Sequence, residues 1–164
     1  MSSRVHPASG RRELNLRDLR EAMELVWDVF EEFEAPDYSP AGVDEFQQYI
    51  DQKAMGERLL CGELLLWGAF DEEELVGVLA LRPPGHISLL FVDKKHHRQG
   101  IARGLMEDAA AHALGEGCNV LTVHASLYGE EAYRHMGFVP TGEKTTENGI
   151  TYIPMEKHLE KGTE

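Results

Sequence analysis

The residues best placed to do chemistry follow an apolar run, His86–Val92 (HISLLFV), where a polar loop leads into His97-Arg98-Gln99-Gly100-Ile101-Ala102 and a helical pattern begins. The first N–H groups of a helix have no partner within it and carry partial positive charge, so they form an anion site. Gly100 and Ala102 leave room for a phosphate, and Lys94, Lys95, Arg98 and Arg103 add positive charge. Small residues before a helix fit a plain structural turn equally well. Neither Gly-x-x-x-x-Gly-Lys-Ser/Thr nor Gly-x-Gly-x-x-Gly after a first strand occurs, which excludes a triphosphatase loop and a dinucleotide fold.

Charge singles out the same stretch. The chain of 164 residues carries 29 acidic and 16 Lys and Arg side chains, a net charge of −13. Residues 86–114 alone are net positive, at +1. Such a balance argues against nucleic acid and against anionic membranes as partners, since both demand basic surfaces. His96 and His97 have no carboxylate or cysteine at ligand spacing behind them, so no metal is expected. Cys61 and Cys118 are isolated, and no export signal or membrane-length apolar run occurs, so reduced thiols and a cytoplasmic location are expected.

The elements that must position these residues follow from periodicity. Residues 1–12 are expected to be a flexible tail and 13–164 one domain. A short strand over Glu13–Leu16 leads to Asp18-x-x-Glu21, which has the form of a capping box. Leu19, Ala22, Val26, Val29, Phe30 and Phe33 then recur at helical spacing. Ser39-Pro40 starts a second helix, expected to end at Gly56. Glu63–Phe70 and Leu75–Leu81 flank an acidic turn as a hairpin, and His86–Val92 reads as a third strand buried on both faces. A helix from Gly100 to Gly115, a strand over Val120–His124, a helix over Leu127–Met136 capped by Gly137, and a closing hairpin over Phe138–Gly142 and Gly149–Glu156 complete the order. This is a mixed α/β domain, one sheet with helices on both faces.

The run Phe91–Met106 (FVDKKHHRQGIARGLM) resembles the acyl-CoA pyrophosphate motif of the GNAT superfamily of N-acetyltransferases, Gln/Arg-x-x-Gly-x-Gly/Ala. Ser126–Phe138 is similar to that family's Asn-x-x-Ala-x-x-x-Tyr-x-x-x-Gly-Phe. His97, Ala102, Ser126 and Gly129 depart from the commoner residues at their positions. The resemblance implies a mostly antiparallel twisted sheet of six to seven strands and acetyl-CoA as cosubstrate. It implies a pantetheine arm along Leu90, Phe91 and Val92, and pyrophosphate at the backbone of Arg98, Gln99, Gly100, Ile101 and Ala102, flanked by His97 and Arg103. Ser126 would contact the pantetheine arm.

By the same resemblance Tyr133 is the general acid that protonates the leaving sulfur; otherwise it is a core aromatic. The acceptor is a small amine or peptide amine, and an alkyl amine with a pKa near ~10.4 must lose a proton before attack. His86 and His124 are the candidate bases, and a water chain to an acidic residue would serve as well. Glu31, Glu32 and Glu34 read as a solvated face or as acid that steers a cationic acceptor. The family accommodates a homodimer. The competing readings are a catalytically silent acyl-CoA sensor and a phosphate-binding domain unrelated to CoA.

Overall fold

The computed structural model describes residues 10–160. Strand β1 (Gly10–Glu13) is followed by helices α1 (Leu19–Phe33), α2 (Pro40–Tyr49) and α3 (Gln52–Leu60). Then come β2 (Leu65–Asp71), β3 (Glu74–Arg82), β4 (His86–Val92), α4 (Ile101–Gly115), β5 (Val120–Ser126) and α5 (Glu130–His135). Strands β6 (Val139–Pro140), β7 (Thr145–Glu147) and β8 (Ile150–His158) close the chain. They form one sheet in the order β1-β2-β3-β4-β5-β8-β6, with β7 paired to β8. Every pairing is antiparallel except β4 with β5.

Each face of the sheet has its own core. The apolar stripe of α1, including Ala22, Val26 and Phe30, packs on Leu66, Val78, Ala80 and Phe91. On the other face Leu105, Met106, Ala109 and Ala113 of α4 cover Leu79, Leu81, Leu121 and Val123. Side chains of this size contribute about 1.5–3 kcal/mol each on full burial, and period 3.6 against period 2 is what lets helix and strand share them.

Several boundaries differ from expectation, each for a local reason. The strand expected at Glu13–Leu16 lies earlier: Gly10–Arg12, assigned to the tail, pair with Gly68–Phe70 of β2, while residues 1–9 lie outside the described residues. The capping box also falls three residues early. Asn15 accepts from Arg17 N–H, and the Asp18 carboxylate accepts from Asn15 N–H and from Arg12. The second helix breaks at Ile50–Asp51, where Asp51 caps α3, and Gly56 lies inside α3 against Leu19. The final hairpin turns at Asn148-Gly149, both at positive φ, so β7 and β8 are its arms and β6 pairs separately. Strand β4 alternates half-buried and buried residues, in place of burial on both faces.

Candidate active site: the opening between two parallel strands

Strands β4 and β5 pair only at His86↔Thr122 and Ile87↔Val123. The β3–β4 register jumps from Ala80↔Leu89 to Leu81↔Ile87, which leaves Ser88 as an extra residue on β4. Such a bulge bends its strand and shifts the alternation by one. Asp93 N–H donates to Val76 of β3, so by antiparallel alternation Phe91 and Leu89 also turn their backbone groups to β3. Leu90 and Val92 therefore direct theirs to the side that β5 has left. Of the three residues expected along a pantetheine arm, Leu90 and Val92 face the opening. Phe91 turns its backbone to β3 and its ring to the core beside Phe46.

The open edge leads to the start of α4. Positive φ at Arg98 and Gly100 curls the chain there, Gly100 is the left-handed N-cap, and no side chain caps the first turn. A Cβ built on Gly100 would meet open space. Ile101, Ala102 and Arg103 thus present N–H groups to an unobstructed surface. The side chains nearby are largely committed elsewhere. The His97 ring donates to Val92 O, Gln99 donates to Lys95 O, and Arg103 donates to His135 O at the end of α5. His96 lies between Asp71 and Asp93, whose hydrogen bonds raise its pKa and tie the loop to the β2–β3 turn.

The end of α1 lies across the mouth of the opening. Phe33 contacts the His97 ring at 5.5 Å on the β4 side and stacks on Tyr128 at 4.9 Å on the β5 side. Glu34 is the next residue, and the Ser126 hydroxyl at the end of β5 favours its charged form; Ser126 itself accepts from Gly129 N–H at 2.9 Å. The residue is half-buried. Burial first, then the charge of Asp37, pushes its pKa up to about 7 against the pull of Ser126.

Tyr133 is buried on α5, and its hydroxyl has no hydrogen-bond partner among the described residues. Burial, then the charge on Glu34, raises its pKa, so it remains a protonated donor. Its position follows from the helix terminus. Phe138 N–H donates to Tyr133 O and Gly137 N–H to Arg134 O, with Gly137 at φ 98°. The Tyr133 and Phe138 rings meet edge-on at 5.4 Å. These bonds and this contact are the glycine C-cap with its apolar clasp, which accounts physically for the spacing Tyr-x-x-x-Gly-Phe.

His86 and His124, the two candidate bases, lie on β4 and β5 with their rings 5.0 Å apart. His86 starts β4, at the paired end; its Nδ1 lies 2.8 Å from Thr122 Oγ1, and burial pushes its pKa down to about 4. His124 stacks on Tyr152 at 4.0 Å, and burial lowers its pKa as well. Four strand steps separate His86 from Leu90, roughly 13 Å. A base near neutrality needs a pKa close to 7, and burial moves His86 away from that value. The sequence leaves Glu34 open between a solvated face and acid that steers a cationic acceptor. Glu31, Glu32 and Glu34 all oppose the helix dipole at the end of α1, so no local signal separates Glu34 from the other two. A depression of about 510 Å³ lined by Arg20, Trp27, Asp28, Gln47 and Asp51 lies between α1 and α2 and includes none of these residues.

Comparison with known proteins agrees with this geometry. Residues 34–159 match the family model described as an acetyltransferase (GNAT) domain. The chain is 30% identical to human N-acetyltransferase 8 over 106 residues, which cover 57% of this chain and 45% of that protein. It therefore spans about half the length of that relative. Among solved structures it is similar to a GCN5-related N-acetyltransferase from Rhodopseudomonas palustris, with a TM-score of 0.79, 23% identity, and coverage of 96% of this chain and 100% of the other. It is also similar to the PaiA N-acetyltransferase of Thermoplasma acidophilum in complex with coenzyme A, with a TM-score of 0.77, 18% identity, and coverage of 92% and 99%. The chain belongs to the GNAT acetyltransferase family. Among the described residues no helix is long and apolar enough to cross a membrane.

Proposed function

We propose that this chain is an acetyl-CoA-dependent N-acetyltransferase that passes the acetyl group directly to a primary amine of a small molecule or peptide. One observation carries the reading: β4 leaves β5 after Ile87 and runs, with one edge paired to no strand, into the uncapped N-terminus of α4. That edge fits an amide-bearing arm, and the N–H groups of Ile101, Ala102 and Arg103 beside the space at Gly100 fit a pyrophosphate. Bound acetyl-CoA would supply an activated thioester.

The backbone N–H of Leu90 or Val92 would donate to the thioester oxygen as charge grows on it. A fixed donor there costs no reorganisation during the reaction. Tyr133, held protonated by burial and by Glu34, would give its hydroxyl proton to the departing sulfur. The thermoplasmal relative with coenzyme A bound supports the ligand class. The test is release of CoA thiol across a panel of alkylamines, polyamines, amino acids and peptides. Amine-dependent release supports the reading. Acetyl-CoA that binds without turnover on every acceptor would instead make this chain a silent acyl-CoA sensor.

A further inference from the structure

We infer that His96 is a positioning residue for cofactor binding: as an imidazolium clasped between Asp71 and Asp93, it holds the turn before α4 in the shape that receives the CoA pyrophosphate. This rests on the acetyltransferase reading and deepens it by naming a group that sets cofactor affinity. His96 Nε2 lies 3.0 Å from an Asp71 oxygen, and Nδ1 lies 3.1 Å from an Asp93 oxygen. Ionised carboxylates only accept, so both ring nitrogens must carry a proton, whereas a neutral imidazole has one. The two carboxylates belong to separate parts of the sheet. Asp71 ends β2 and is fixed opposite Glu74. Asp93 follows β4, is bonded through its own N–H to Val76 O, and also accepts from Lys95 N–H at 3.1 Å. The ring is 15% exposed, so it joins β2 to the turn from a sheltered position.

The turn needs such anchors, because Arg98 stands at φ 66°, a conformation that side-chain-bearing residues resist unless their surroundings impose it. Two further side chains tie the segment down: Lys94 bonds Glu32 of α1 at 3.0 Å, and His97 bonds Val92 O at 2.7 Å. Of these three anchors, the one through His96 depends on a ring proton that leaves near neutral pH. The charges acting on His96 are Asp71 and Asp93; the hydrogen bond to Asp71 comes first, and together they hold the ring proton above the ordinary 6.5. Glu72, Glu73 and Glu74 follow Asp71 in the chain, and Lys94, Lys95 and Arg98 flank His96. Below pH 6.5 the clasp is complete. As the pH rises through the raised value the ring loses one proton, one carboxylate faces a bare lone pair, and the turn loses a tether. CoA affinity should fall with it, and bound CoA should favour the imidazolium in return.

The experiment is calorimetry with CoA from about pH 6 to about pH 9 on the wild type, His96→Gln and Asp71→Asn. All three bind one ligand, so CoA's own titration cancels between them. The Gln amide donates to Asp71 without titrating. The wild type should lose about three- to tenfold in affinity relative to His96→Gln as the pH rises, with a midpoint above 6.5. Asp71→Asn should move that midpoint down toward 6.5, and at pH 6 His96→Gln should bind within about threefold of the wild type. Nitrogen NMR of the free protein at pH 7, with the His96 signals identified by their loss in His96→Gln, should show both ring nitrogens protonated. A neutral His96 there would overturn the inference, as would identical profiles for the wild type and His96→Gln. So would a His96→Gln variant that already shows at pH 6 the whole loss the wild type shows at pH 9, since His96 would then act by charge alone. A wild type that binds no CoA at any pH would overturn the acetyltransferase reading, and this inference with it.

Discussion

The imidazole Nε2 of His97 donates to the carbonyl of Val92 at 2.7 Å. This bond joins the turn before α4 to the last residue of β4, on the edge that faces the opening. His97, expected beside the pyrophosphate, ties strand to turn through this bond.

His97→Ala should therefore weaken CoA binding without emptying the site. Losing one part-buried hydrogen bond costs about 0.5–1.5 kcal/mol. Calorimetry should show affinity reduced by roughly three- to tenfold, the same energy expressed as binding. An unchanged affinity would mean that the turn holds its shape alone.

Gly100→Glu should abolish CoA binding. The added side chain enters the open space above the α4 N-terminus, at a residue with φ of 80° that resists any side chain. It also puts a carboxylate where a pyrophosphate would lie. Titration with CoA should show no saturable binding, while circular dichroism retains the fold. Normal affinity would move the phosphate site elsewhere.

Tyr133→Phe should lower kcat by about 10²–10³-fold, the span of general acid catalysis, and leave CoA affinity nearly unchanged. Its stability should also hold, because the hydroxyl has no partner to abandon and Phe keeps the edge contact with Phe138. Full activity of the variant would return Tyr133 to a role in packing alone.

Much of this arrangement is legible in the sequence because it is local. His86–Val92 forms β4 with those bounds, and Gly137 caps α5 as its position implies. The Asn148-Gly149 turn was equally local, yet the apolar runs around it drew the hairpin boundary too early. What periodicity could not supply is the bulge at Ser88, which depends on pairing with β3, and the placement of Glu34. Glu34 and Ser126 lie on different elements 92 positions apart, so only the tertiary fold brings them together. Acidic side chains at the end of α1 look alike in sequence, and just one of them turns inward.

The elevated pKa of Glu34 also has a consequence for stability. Between its ordinary value of 4.5 and about 7 the folded state holds a proton that the unfolded chain gives up. Its contribution is complete below 4.5 and is lost as the pH rises through about 7. Glu34→Gln has no such loss, because its amide does not titrate. Thermal unfolding should show the variant gaining on the wild type as pH rises across that window, with a constant difference above it. A variant that becomes relatively less stable over the same range would contradict a buried carboxylate held against its burial cost.

The most direct test follows an isotopically labelled acetyl group from acetyl-CoA by mass spectrometry, in the presence of a primary alkylamine. The account predicts label on the amine nitrogen at a rate that depends on enzyme and that falls steeply in Tyr133→Phe and Gly100→Glu. Label that stays on bound acetyl-CoA through prolonged incubation with every amine would contradict it.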